Sequence, residues 1–180
     1  LRLNFGIFAL HAMLTASFLV VPELLRGTLA VSSREQWQVY LPVLLVSVAV
    51  MVPAIIVAER YRRMKTLLVG AVAALAASQL MLAAGGSNPY VLLAGLVVFF
   101  SGFNVMEASL PSLVTKAAPA GSTGTATGIY SSSQFLGIFA GGAIGGWVHQ
   151  AAGTPAVFFF AGAVAVVWVL VTATMGGRAL

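Results

Sequence analysis

The sequence contains no cysteine and very few charged residues. Without cysteine the chain can form no disulfide and has no thiol for catalysis or metal binding. Charged residues make up only 7% of the 180 residues, against about 25% in a typical soluble domain. Hydrophobic residues make up 60%, and the mean hydropathy is +1.02. A surface so poor in charge suits lipid rather than water, so the composition predicts an integral membrane protein.

Several functional classes lack the residues that they would need. The net charge of +5 comes from residues in short links between apolar runs, not from one basic face that could bind nucleic acid. No His, Asp and Glu residues show metal-ligand spacing, and there is no phosphate-binding glycine loop. A six-helix intramembrane serine protease would need serine and histidine at one depth, whereas Ser101 lies near mid-membrane and His149 at an outer helix end. We therefore predict that the protein is not an enzyme and needs no cofactor.

Six apolar stretches are long enough to cross the hydrocarbon layer, which takes about 20 residues of helix. They cover roughly residues 3–25, 38–58, 66–84, 90–114, 124–148 and 155–175. Only short polar links separate them. We predict an all-α integral membrane protein in which residues 1–180 form a single domain of six transmembrane helices in the lipid bilayer.

The basic stretch Ala58–Lys65 predicts the orientation of these helices. It holds five of the thirteen charged residues. Lys and Arg accumulate in cytoplasmic loops, so this hairpin is expected in the cytoplasm. If the helices alternate, its side of the membrane carries seven Lys and Arg residues and the other side two, Arg26 and Arg34. The seven are Arg2, Arg60, Arg62, Arg63, Lys65, Lys116 and Arg178. Both termini are therefore predicted to be cytoplasmic.

The same hairpin has a sequence pattern of its own. Glu59, Arg60 and Arg63 match in type and spacing the loop Gly-x-x-x-Asp-Arg-x-Gly-Arg-Arg/Lys, which joins the second and third helices in the major facilitator superfamily. Ile55 and Arg62 stand at the two glycine positions, and Met64 replaces the last basic residue. The resemblance implies a loop that holds one conformation through acid–arginine pairs. A plain positive-inside loop would also explain the arginines.

The fifth apolar stretch is rich in glycine at regular spacing. Glycines four residues apart lie on one helix face and let a neighbouring backbone approach closely. The glycines concerned are Gly128, Gly137, Gly141, Gly142, Gly145 and Gly146. Their spacing resembles the antiporter signature of the superfamily, Gly-x8-Gly-x3-Gly-Pro-x2-Gly-Gly, with Gly142 at the proline position. Generic close packing of helices would explain the spacing without any transport role.

The two patterns fall in the expected helices of one six-helix unit. The chain thus resembles one half of a major facilitator transporter from the drug/proton antiporter branch. The stretches LRLNFGIFALH, GFNVMEASLPSLV and GTATGIYSSSQFLG also resemble efflux transporters of that branch. The altered hairpin, a fourth helix without the arginine of the amino-terminal half, and the absence of an initiator Met favour the carboxy-terminal half. The resemblance implies a bacterial inner membrane, with a missing amino-terminal half or a second copy of this chain as partner.

Glu107 is the only acidic residue deep within a predicted span. A charge there costs several kcal/mol unless it has a partner or faces a polar cavity, so Glu107 is a candidate functional residue. His11 is the expected partner, because the helix rise places both about 12 Å from the cytoplasmic ends of their helices. The resemblance puts their helices beside the central cavity, where Asn104 and Gln134 are further candidates. Alternatively, Glu107 is a protonated structural residue and His11 a packing residue.

These observations predict a function in transport. The resemblance implies half of a proton-coupled efflux carrier, an antiporter that exchanges protons for small, lipophilic molecules. The alternative is a non-transporting sensor or assembly module on the same fold. A sensor needs no titratable residue in a cavity, whereas proton exchange requires one, so Glu107 distinguishes the two hypotheses.

Overall fold

The computed structural model describes residues 2–85 and 88–173. These residues form six α-helices and no strand. The helices are α1 (Arg2–Leu29), α2 (Trp37–Arg60), α3 (Met64–Ala84), α4 (Pro89–Ala117), α5 (Thr123–Ala152) and α6 (Thr154–Ala173). The prediction of an all-α chain with six helices is confirmed. The predicted end of the sixth helix at residue 175 lies outside the described residues.

Two helix ends differ from the sequence prediction. The first helix continues to Leu29 rather than ending near residue 25, and the fifth continues to Ala152. The link after α1 packs back onto it, because the Gln36 side chain donates a hydrogen bond to the Pro22 carbonyl at 2.8 Å. Glu23 and Arg26 therefore lie within α1, not in the link that follows it.

Five of the six helices are long and apolar enough to cross a membrane: α1, α2, α3, α4 and α6. The fifth, α5, has 30 residues, about 45 Å at 1.5 Å per residue, but many of them are glycine or serine. It packs along α1. Gly137, Gly141 and Gly145 of α5 lie beside Phe8, Ala12 and Ala16 of α1, in the same order along both helices. The two helices are therefore parallel and cross the same layer.

The contact between α1 and α5 is made by one stripe of glycines. A Cβ atom built on Gly137 would lie 2.9 Å from the Cα of Phe8. A Cβ atom built on Gly141 would lie 2.7 Å from the Cα of Ala12, and one built on Gly145 would lie 3.0 Å from the Cα of Ala16. Real Cβ atoms do not approach backbone so closely, so each of these positions accommodates only glycine without a shift.

Helix α1 lies at the centre of the bundle. It packs against α4, α5 and α6, while α3 packs against α4 and α6, and α2 mainly against α4. The fully buried residues of α1 include Ile7, Leu10 and Met13. A buried hydrogen bond of 3.1 Å, from the Ser17 hydroxyl to the side-chain amide oxygen (Oε1) of Gln79, joins α1 to α3. In contrast, α2 and α5 expose many apolar side chains, among them Leu45 and Phe139.

Candidate functional site

His11 lies in the middle of the bundle with only 6% of its surface exposed. Its Nδ1 is 3.3 Å from the Ile7 carbonyl, one turn earlier on α1. Since a carbonyl can only accept, Nδ1 carries a hydrogen. The other ring nitrogen, Nε2, is 2.8 Å from Nε2 of Gln134 on α5. In the neutral imidazole, Nε2 accepts this hydrogen bond from the Gln134 amide.

Glu107 on α4 approaches the same nitrogen from another side. Its Oε2 atom is 3.9 Å from Nε2 of His11. This oxygen is buried and has no hydrogen-bond donor within the described part of the chain. The Glu107 side chain as a whole is 39% exposed. The carboxyl group therefore turns one oxygen inward to the histidine, while the rest of the side chain stays accessible.

This arrangement can hold a proton in two ways. A proton on Nε2 of His11 would make an imidazolium ion facing Glu107, and the Gln134 amide would have to turn its oxygen toward the ring. A proton on Glu107 would neutralise the carboxyl group and leave the histidine bond to Gln134 intact. On α5, one turn before Gln134, the Tyr130 hydroxyl is also buried and has no hydrogen-bond partner within the described residues.

Aromatic rings support the histidine. Phe103 packs edge-on against the His11 ring, with 5.8 Å between the ring centroids. Phe99 in turn stacks on Phe103 at 6.0 Å. Together these contacts fix the plane of the imidazole. The role of Phe103 could not be predicted from the sequence, because nothing in an apolar run distinguishes a ring that faces a polar residue from one that faces lipid.

Asn104 does not hydrogen-bond to this cluster. Its amide donates to the Ser47 hydroxyl on α2 at 2.7 Å, and Ser47 donates to the Leu44 carbonyl at 2.8 Å. Asn104 therefore joins α4 to α2, about one helical turn from Glu107. It lines an open groove of about 540 Å³ together with Phe18, Phe100 and other apolar residues. Ser47 was not predicted as a partner of Asn104, although a lone serine in an apolar run can indicate a hydrogen bond between helices.

The three charged residues of the predicted conformational loop, Glu59, Arg60 and Arg63, are exposed. Among the described residues, no ion pair joins Glu59 to either arginine. The Arg60 guanidinium lies 6.0 Å from the centre of the Tyr61 ring. Arg62 has φ +53°, in the left-handed region that favours glycine. The chain thus keeps a glycine-type conformation at a position where the family pattern has glycine.

The other three glycines of the α5 pattern, Gly128, Gly142 and Gly146, are less tightly packed than the stripe. A Cβ atom on Gly142 would meet the Thr15 side chain at an ordinary 3.5 Å, whereas Cβ atoms on Gly128 and Gly146 would find no atom within 4 Å. As for metal binding, the described residues contain no group of three His, Cys, Asp or Glu side chains that could hold an ion.

Comparisons with known proteins agree with this architecture. The chain is 41% identical over 175 residues to the inner membrane transport protein YajR of Escherichia coli (strain K12), covering 97% of the chain and 38% of YajR. It is 30% identical over 172 residues to an uncharacterized transporter of Buchnera aphidicola subsp. Baizongia pistaciae, covering 93% of the chain and 43% of that protein. The chain therefore spans about two fifths of the length of these curated relatives.

The family match extends over nearly the whole chain. The family model described as Major Facilitator Superfamily matches residues 3–177. The six helices in the described residues fit one half of such a transporter, and the relatives are named as transporters rather than enzymes. The chain belongs to the Major Facilitator Superfamily of membrane transporters.

Proposed function

We propose that this chain forms one half of a proton-coupled efflux carrier, and that Glu107 carries the coupled proton. The observation that supports this most directly is the inward oxygen of Glu107. This oxygen is buried, has no hydrogen-bond donor among the described residues, and lies 3.9 Å from Nε2 of His11. An ionisable residue within a membrane span is a functional-site candidate by default, and this one has both a partner and access to the outside of the bundle.

The proton step uses the two states of this pair. When the cavity opens to the acidic side, Glu107 takes up a proton and becomes neutral, while His11 keeps its hydrogen bond to Gln134. When the cavity opens to the cytoplasm, Glu107 releases the proton. His11, held between the Ile7 carbonyl and the Gln134 amide, keeps its Nε2 atom 3.9 Å from the inward oxygen of Glu107. Antiport follows if the substrate and the proton favour opposite states.

The substrate class is inferred from the groove beside the pair. Its walls are mostly apolar, with Thr15 and Asn104 as the two polar residues; the apolar ones are Leu14, Phe18, Leu19, Leu44, Phe100 and Phe103. Pockets with apolar walls and few polar groups suit lipophilic molecules. We therefore include small, lipophilic compounds in the proposal.

The chain needs a partner in this proposal. Transporter sites lie between two repeats near the middle of the membrane, and one half supplies only one wall. The chain covers 38% of YajR, an inner membrane transport protein, which supports a location in a bacterial inner membrane beside an amino-terminal half. A second copy of this chain is the other partner to consider. The exposed faces of α2 and α5 offer the surface for either partner.

The hairpin and the glycine helix have supporting roles. Glu59, Arg60 and Arg63 have no ion pairs with one another in the described residues, so we propose that they pair with the other half in one conformation. The glycine stripe Gly137, Gly141 and Gly145 keeps α5, and with it Gln134, close to α1. Gly142 adds a looser contact with Thr15 of α1, Gly128 is assigned to contacts with the other half, and Gly146 is assigned no contact.

Efflux of a fluorescent lipophilic dye such as ethidium, from energised cells that produce the full-length protein, tests this function. We expect the wild-type protein to export the dye. A protonophore should abolish this efflux, and Glu107→Gln should reduce it at least tenfold. Glu35→Gln is the matched control, because Glu35 lies in an exposed link, where its carboxylate accepts a hydrogen bond from the Ser32 hydroxyl at 2.6 Å. Efflux that withstands the protonophore would contradict proton coupling. No efflux of any lipophilic dye by the wild-type protein would favour a sensor or assembly module.

A further inference from the structure

A second cavity lies at the end of the bundle that carries the basic hairpin. It has a volume of about 690 Å³ and is formed by the end of α2, the start of α3 and the end of α4. It is separate from the His11–Glu107 pair, which contributes no residue to its lining. Its polar lining consists of Glu59, Arg62, Lys65, Ser109, Ser112 and Lys116.

The charges of this cavity do not balance. Three cations, Arg62, Lys65 and Lys116, face one carboxylate, Glu59. Within the described part of the chain, none of these four side chains forms a hydrogen bond or an ion pair. Three cations gathered around one space repel one another, and an anion in that space would remove the repulsion.

Ser109 gives an independent indication of a ligand. It is only 5% exposed, lines the cavity, and its hydroxyl has no hydrogen-bond partner within the described residues. The other buried serines have acceptors: Ser47 and Ser78 donate to carbonyls of their own helices, and Ser17 donates to the Gln79 side chain. Donation to a carbonyl of its own helix is the usual arrangement for a serine in a membrane helix. The Ser109 hydroxyl is therefore a donor without an acceptor, beside three unpaired cations.

We propose that this cavity binds a phosphate group. Phosphate oxygens accept hydrogen bonds from Lys, Arg and Ser together, and the lining carries two more positive than negative charges. Two sources of phosphate reach this place: the headgroup of an acidic phospholipid in the cytoplasmic leaflet, and a soluble phosphate compound. Basic pockets between helices on the cytoplasmic side are typical headgroup sites. The apolar lining residues Ile55 and Leu113 would contact the glycerol end of a lipid.

Thermal unfolding of the purified full-length protein in detergent tests the site and identifies the source. Phosphatidylglycerol is added to the protein in mixed micelles, with phosphatidylcholine as the control lipid. Inorganic phosphate is added in a separate titration, with chloride at equal ionic strength as its control. We expect phosphatidylglycerol to raise the unfolding temperature and phosphatidylcholine not to raise it. A rise with inorganic phosphate as well would extend the site to soluble phosphate compounds. No rise with either phosphate source would contradict the proposal.

Charge variants locate the effect. At about 1 kcal/mol per basic residue, Lys65→Gln with Lys116→Gln should weaken phosphatidylglycerol binding on the order of thirtyfold. The control removes two charges from the same hairpin, Arg60→Gln with Arg63→Gln, because neither of these residues lines the cavity. It should retain most of the affinity. An equal loss in both double variants would show that only the general surface charge matters.

Ser109→Ala separates ligand binding from folding. The hydroxyl has no partner among the described residues, so its removal should leave the unfolding temperature without ligand unchanged or slightly higher. A lost hydrogen bond to a charged group should lower the affinity for the phosphate ligand about tenfold. An unchanged affinity, or a lower stability in the absence of ligand, would mean that Ser109 does not face a bound phosphate.

Discussion

The Ala12 backbone on α1 lies directly against Gly141 on α5, and a Cβ atom at position 141 would be 2.7 Å from the Ala12 Cα. Two backbones in such contact leave no space for a methyl group. Gly146 is on the same helix, and a Cβ atom there would meet no atom within 4 Å. The two glycines therefore form a matched pair for testing the packing of α5.

We expect Gly141→Ala to lower the unfolding temperature by several degrees, because overpacking a close contact costs about 1–3 kcal/mol. Gly146→Ala should not lower it, because it makes no clash and alanine favours a helix over glycine. Thermal unfolding of both variants in detergent measures the difference. Equal stabilities would show that α5 does not lie against α1 at Ala12.

The orientation of the bundle is tested by a matched pair of tyrosines. Tyr61 lies in the basic hairpin and Tyr90 at the start of α4, 63% and 82% exposed respectively. The chain has no cysteine, so Tyr61→Cys and Tyr90→Cys each introduce one unique thiol into it. We expect a membrane-impermeant thiol reagent added to intact cells to label position 90 and not position 61. Both should react once the cells are permeabilised; labelling of position 61 in intact cells would reverse the predicted topology.

The left-handed backbone of Arg62, φ +53°, predicts how that position responds to substitution. Glycine adopts this conformation without strain, whereas a β-branched residue adopts it with difficulty. Arg62→Gly should leave the unfolding temperature nearly unchanged. Arg62→Val removes the same charge but should destabilise the protein by about 1 kcal/mol or more. Equal effects of the two substitutions would mean that charge, not backbone conformation, governs this turn.

The number of helices and their approximate bounds could be predicted because lipid requires runs of about 20 apolar residues. The end of α1 could not, because Glu23 and Arg26 look like the start of a polar link but continue the helix. The glycine spacing indicated a contact face on α5 without indicating its neighbour. Phe8, Ala12 and Ala16 became visible as that neighbour only once the helices were arranged in space.

The candidate site was predictable in depth but not in detail. The helix rise alone places His11 and Glu107 at one level, whereas the adjacency of their helices was implied by the family resemblance. The hydrogen bond from Gln134 to His11 and the bond from Asn104 to Ser47 depend on rotation of each helix about its axis. Weak apolar periodicity leaves that rotation undetermined, since lipid and protein interior are equally apolar.

The role of Glu107 is tested most directly in proteoliposomes that contain the full-length protein and a transported dye. Two modes are compared in the same vesicles: exchange of labelled for unlabelled dye without a gradient, and uphill movement of dye driven by an imposed pH gradient. If Glu107 carries the coupled proton, Glu107→Gln retains the exchange and loses the uphill movement, while Glu35→Gln retains both. Uphill movement at the wild-type rate in Glu107→Gln would contradict this account and leave Glu107 as a structural partner of His11.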